Sequence, residues 1–259
     1  MLRYVLRQHR RDTSASGVSL QQIVCRELPG DDFSLSQWQL GLDYYRARLA
    51  AFGAEGQVLL DIGCGSGNWA LAAASRFGLV AGCDLGAARL ACSRRVRDSL
   101  AVRNAYFCYA DATALPFESE SVDWALVYNV LPYVRGWRRV APELARVVRP
   151  RGRVFVGWVD AGMILFCLAE GLLLRRARRL FEALWMAGGW RLMANRRAED
   201  KAALFLGRRT VVKAFSEANF EPLCSTWAET PGRIGDPLFP RRFGLLPFFH
   251  EVLFEKRPY

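Results

Sequence analysis

The chain has 259 residues, 52% of them apolar and 24% charged, a balance that supports a buried core and excludes a disordered chain. Its net charge is +11, yet only Lys201, Lys213 and Lys256 of the 36 basic residues are lysine. That arginine excess fits either a phosphate-binding surface or simply a GC-rich coding sequence. The seven cysteines are scattered with no CxxC pair. Neither a disulfide framework nor a metal site is expected, and the setting reads as reducing and cytoplasmic.

Residues 1–33 begin MLRYVLRQHRRDTSASG, lack an apolar signal core, and read as a basic tail. From Ser34 to Gly53 the apolar spacing predicts one or two helices over the start of the main domain. A regular alternation follows. Strands are predicted at Val58–Ile62, Leu79–Cys83, Ala105–Tyr109, Val122–Tyr128 and Arg153–Trp158, with helices over Asn68–Phe77, over AARLACSRRVRDSL and over WRRVAPELARVV. Apolar strands alternating with helices imply an α/β fold, a doubly wound Rossmann-like and mostly parallel sheet. Residues 34–159 would form its cofactor-binding core. The rhythm breaks over 160–207, which reads as a helical insertion after the fifth strand. It resumes over 208–259 with the helix RRTVVKAFSEANF and the strand-like segments EPLCSTWA and FFHEVLFEKRP, for about seven strands in all.

The stretch LLDIGCGSGNWALAAA, Leu59 to Ala74, carries Gly63, Gly65 and Gly67 directly after the first strand. A dinucleotide loop reads GxGxxG and delivers a pyrophosphate to a helix N-terminus. Here the spacing is GxGxG, with Asn68 where the third glycine would stand. Asp61, two residues before the first glycine, would repel a pyrophosphate but suits a cation. S-adenosylmethionine is such a ligand, carrying a sulfonium and an ammonium and no phosphate, and the glycines let the backbone approach it. Asp84 ends the second strand where doubly wound sites place a carboxylate for ribose hydroxyls. Asp111 ends the third, where a carboxylate could accept from the adenine amino group. Aspartate is also common at strand-to-turn junctions and helix caps, so the order and spacing of the three carry the inference.

With these residues the chain resembles the class I S-adenosylmethionine-dependent methyltransferases, in the small-molecule, quinone-biosynthesis-like branch. VLLDIGCGSGNWA is similar to the family's first motif and GLVAGCDLG to its second. YADATALPFESESVDWALVYNVLPYV resembles the adenine loop, fourth strand and post-strand segment, and ELARVVRPRGRVFV the helix, turn and fifth strand. The resemblance implies that Asp61, Gly63 and Gly65, with Cys64 between the glycines, line the methionine end. It implies that Asp84 holds the ribose, that Leu85 flanks the adenine, and that Asp111 with Ala112 reads the adenine edge. Asn129 and Val130 would lie near the transferred methyl. Many relatives carry histidine after the fourth strand, where this chain has Pro132 and Tyr133, so a base at that point is absent.

Methyl transfer from a sulfonium is an in-line displacement that chiefly requires an acceptor held about 3 Å from the methyl. A base is needed only for a protonated, weakly acidic acceptor, and no catalytic residue is assigned. Tyr128 and Tyr133 are candidate walls of the acceptor pocket, with aromatic packing as the alternative. His250 is a third candidate, although a strand histidine among aromatics is more often packed. The insertion is a structural subdomain, a lid over the acceptor, or an interfacial contact with anionic lipid through residues 162–197. Its apolar start, Gly162–Leu174, is too short to span a bilayer. The expected partner is therefore a small-molecule acceptor, apolar or lipid-linked. The alternatives are an RNA or protein methyltransferase, which only the arginines favour, and a non-catalytic S-adenosylmethionine-binding protein.

Overall fold

A computed structural model describes residues 19–159, 206–225, 242–243, 246–247 and 249–258. Three helices come first: α1 (Leu20–Glu27), α2 (Asp32–Gln39) and α3 (Leu42–Ala51). The basic tail predicted through residue 33 therefore ends earlier. Ser19 closes a capping box: its hydroxyl accepts from the Gln22 N–H at 3.2 Å, and the Gln22 side chain accepts from the Ser19 N–H at 3.1 Å. Leu20 and Val24 on the same helix are buried.

The core continues as β1 (Gly56–Ile62), α4 (Asn68–Ala73), β2 (Phe77–Asp84), α5 (Ala87–Ser99), β3 (Ala105–Tyr109) and β4 (Val122–Tyr128). Two 3-10 turns, Leu131–Tyr133 and Trp137–Arg139, precede α6 (Val140–Val147) and β5 (Val148–Val159). Then come α7 (Arg208–Glu217), β6 (Phe220–Ser225), a two-residue pair β7 (Arg242–Phe243) and β8 (Leu246–Pro247), and β9 (Phe249–Lys256). Helix α4 is shorter than the predicted Asn68–Phe77 because Phe77 already pairs with Gly56 as the first residue of β2. Strand β5 starts earlier than predicted and runs through the RPRG turn. Gly152 is required there, since a Cβ would meet the Asp123 carbonyl oxygen at 3.0 Å and Val148 at 2.6 Å.

The main sheet has seven strands in the order β3-β2-β1-β4-β5-β9-β6. Strands β1 to β5 pair in parallel, and β9 runs antiparallel between β5 and β6. Being covered on both faces, β1 is apolar on successive residues: Leu59 and Leu60 are fully buried. One face packs Leu59, Leu126, Phe155 and Leu253 under α1 to α5. The other packs Leu60, Val127, Val156 and Val252 under α6 and α7. The strand order reverses between β1 and β4, so the crevice for a ligand lies beyond the carboxyl ends of these two strands.

The insertion predicted over 160–207 lies outside the described residues up to 205. Its two attachment points are adjacent: Trp158, next to the end of β5, donates its indole N–H to the Leu206 carbonyl at 2.6 Å.

Candidate active site

The loop after β1 is built on left-handed backbone. Gly63, Gly65 and Gly67 have φ of +65°, +55° and +87°, conformations costly for residues with a Cβ. A Cβ at Gly63 would lie 2.4 Å from a Val130 methyl, so this glycine lets the ends of β1 and β4 close together. A Cβ at Gly65 would meet nothing within 4 Å. The space over the loop is open at that residue, as a ligand resting on its backbone requires. The Cys64 N–H donates to the Cys83 carbonyl at 2.9 Å and ties the loop to β2. Burial pushes the Cys64 and Cys83 thiols well above the ordinary thiol range, so both act as small packing groups.

Asp61 is 2% exposed. The Ala70 N–H donates to its carboxylate, yet Oδ2 has no hydrogen-bond partner among the described residues. Burial raises its pKa to about 8, and the nearby Asp84 adds to the rise. A buried carboxylate with one free oxygen is a strong attractor for a cation. Asp84, half-buried at the end of β2, accepts from the Gly65 N–H through Oδ2 at 2.9 Å and from the Gly86 N–H through Oδ1 at 2.7 Å. It thus holds the glycine loop and the start of α5 in mutual register. Leu85 beside it is 53% exposed. Asp111 is exposed and caps its own turn, accepting from the Thr113 N–H at 2.8 Å and hydroxyl at 2.9 Å, while Ala112 is buried. The carboxylates thus occupy β1, the end of β2 and the turn after β3, three neighbouring strands at one sheet edge.

Beyond β4, Asn129 has φ of +57°, and its N–H donates to the Gly157 carbonyl at 2.6 Å. Its side chain hydrogen-bonds the Tyr133 phenol, while its Oδ1 is buried without a partner among the described residues. Val130 packs on Gly63, and Tyr133 is 68% exposed at this edge.

Two residues considered for the acceptor pocket are turned inward. The Tyr128 ring packs on Trp69 and Phe155, and its hydroxyl lies 3.3 Å from Glu251 Oε1 and 3.5 Å from Arg48 Nη1. His250 is 4% exposed and packs on Trp158 at 5.1 Å between ring centroids. Both sit in the aromatic interior that was the alternative reading of their sequence.

Arg48 and Glu251 were not singled out in the sequence. Arg48 is buried in an ion pair with Glu251, and its guanidinium lies 5.5–6.0 Å from the ring centroids of Tyr44, Phe52, Trp69, Tyr128 and Phe155. Trp38 was missed as well. Its indole N–H donates to the Ser66 hydroxyl at 2.9 Å, laying α2 against the glycine loop. Arg48 shares the helical run YYRARLAAF with Arg46, and nothing local marks which of the two is buried.

A methyltransferase domain model matches residues 60–156, which hold the glycine loop, the three carboxylates and strands β2 to β4. The demethylmenaquinone methyltransferase of Bacillus cereus is 29% identical over 178 residues, covering 64% of this chain and 70% of that protein. Its counterpart from Oceanobacillus iheyensis is 29% identical over 102 residues, and the match spans only 43% of that protein. Magnesium protoporphyrin IX methyltransferase from Synechocystis PCC 6803, solved with bound SAH, superposes with a TM-score of 0.56 at 16% identity, covering 86% of this chain and 87% of that one; it shows the shared fold. Domain model, fold and glycine loop agree on a class I S-adenosylmethionine-dependent methyltransferase domain over residues 60–156.

Proposed function

We propose that the chain methylates a small, apolar acceptor at the carboxyl edge of β1 and β4. The observation that carries the cofactor half of this reading is the free Oδ2 of buried Asp61 behind the open space at Gly65. In this reading Asp61 receives the ammonium of the methionine part, with Gly63, Cys64 and Gly65 supplying the floor. Asp84 keeps a lone pair on each oxygen for the ribose hydroxyls while its loop bonds persist. Leu85 covers the adenine, and Asp111 with Ala112 reads its edge. Asn129 and Val130 border the methyl. S-adenosylmethionine supplies an electrophilic methyl and leaves as a neutral thioether.

The acceptor half rests on the similarity to demethylmenaquinone methyltransferases and on Tyr133, which is exposed beside Asn129 at that edge. No base is assigned, because β4 is followed by Leu131, Pro132 and Tyr133 without a histidine. The chain then positions and desolvates an acceptor that is already nucleophilic. No described helix is long and apolar enough to cross a membrane. The lipid contact through residues 162–197 belongs to this proposal and lies outside the described residues.

Calorimetric titration with S-adenosylmethionine tests the site. Asp84→Ala removes the acceptor of two backbone N–H groups and of the ribose, and weakens binding about ten- to a hundredfold. An absence of binding by folded wild-type chain would overturn the reading. Labelled-methyl transfer to a demethylated quinone then tests the acceptor.

A further inference from the structure

A cluster of cations shares the edge that holds the site. Strands β5 and β6 run in the same direction, since each is antiparallel to β9. The helices that precede them, α6 and α7, therefore both begin at the carboxyl edge, where the glycine loop and Tyr133 also lie. Arg138 and Arg139 occupy the 3-10 turn before α6, and Arg208 and Arg209 open α7 with Lys213 one turn on. All five are exposed. Arg138, Arg209, Thr210, Lys213, Ala214 and Glu217 line one open groove, so the two basic elements meet. Among the described residues Glu217 is the sole carboxylate of that groove, and it lies 3.7 Å from Lys213. The surface is thus strongly cationic, although no cofactor-site residue belongs to it.

We infer that this surface docks the protein on an anionic lipid bilayer, with the site edge facing the membrane. Each cation near an anionic leaflet strengthens binding about fivefold, and the three that line the groove, with Arg139 and Arg208 beside them in the chain, suffice for reversible attachment. Trp137, the aromatic of the basic turn, is 3% exposed beneath Arg138, so its ring is not open for the base stacking by which single-stranded RNA is held. Tyr133, 68% exposed at the same edge, suits the headgroup region, where amphipathic rings collect. The chain departs at Val159 and returns at Leu206 beside this face, and the intervening sequence Gly162–Leu174 is apolar apart from Glu170.

The test is sedimentation of the full chain with vesicles of phosphatidylcholine, with and without phosphatidylglycerol. The wild type should pellet with the anionic vesicles alone and be released by salt. Replacing four cations together (Arg138→Gln, Arg139→Gln, Arg209→Gln, Lys213→Gln) should lower the partition coefficient roughly several-hundredfold and leave S-adenosylmethionine binding unchanged. A triple variant that keeps the charge (Arg138→Lys, Arg139→Lys, Arg209→Lys) should still pellet. Asp84→Ala should pellet like wild type, which separates this inference from the proposed function. Failure to pellet with anionic vesicles overturns the inference, as does undiminished binding by the glutamine variant. Charge-dependent capture of single-stranded RNA in place of vesicles would overturn it too.

Discussion

At the scale of single residues, Asp61 shows how a fold keeps a charge site ready for a cation. Its burial is imposed by β1, covered on both faces, and by α4 pressed on the glycine loop; the raised pKa of about 8 follows mainly from lost hydration. The folded value exceeds the ordinary 3.8, so between these two pH values the folded chain holds a proton that the unfolded chain has released. Stability of the ligand-free protein is then greatest below pH 4 as far as this group is concerned, and declines as pH rises toward 8. Melting temperatures measured from pH 5 to pH 8.5 should fall for the wild type and fall less for Asp61→Asn. Saturating S-adenosylmethionine should flatten the wild-type profile by pairing the carboxylate, and should do nothing comparable for the variant. Equal slopes in all cases would place the charge of Asp61 elsewhere. The carboxylate itself was legible in the sequence from its distance to Gly63. Its isolation was not, because the atoms that bury it arrive from β4 and α4.

At the scale of elements, the alternation of strands and helices between residues 56 and 159 was readable, because parallel strands buried on both faces must be continuously apolar. The N-terminal helices were harder. The S-x-x-Q box at Ser19 is a valid start signal, but it stands beside an arginine-rich run whose composition dominates the reading. The pairing of α3 with β9 was not readable at all, since Arg48 and Glu251 lie 203 positions apart. That pair is held between layers with Tyr44 and Tyr128 on its flanks. Removing one partner leaves the other charged and buried, which costs about 3–5 kcal/mol. Glu251→Gln and Arg48→Met should each lower the unfolding free energy from denaturant titration by that much, while Arg48→Met combined with Glu251→Leu should recover most of the loss. Additive losses in the double variant would mean that the two side chains act independently and that the ion pair is incidental.

At the scale of the molecule, the site and the structure that sustains it are separated along the chain. Every residue proposed to hold the cofactor lies between Asp61 and Val130, within the segment matched by the methyltransferase domain model. The sheet is nevertheless completed by β9, which enters between β5 and β6 and buries Phe249, Val252, Leu253 and Phe254 along with Glu251. Each such apolar side chain contributes about 1.5–3 kcal/mol on burial. Together they rival the entire margin of about 5–15 kcal/mol that keeps a domain folded. Without β9 the pairing edge of β5 and the apolar faces of α6 and α7 would also be bare, an invitation to aggregation. A chain ending at residue 248 should therefore lose cooperative unfolding and S-adenosylmethionine binding together, although it retains every residue of the proposed site. Circular dichroism melts and calorimetry on that truncation check the point. Cooperative melting with cofactor binding intact would show that residues 19–159 fold on their own, and that β9 serves the acceptor side alone.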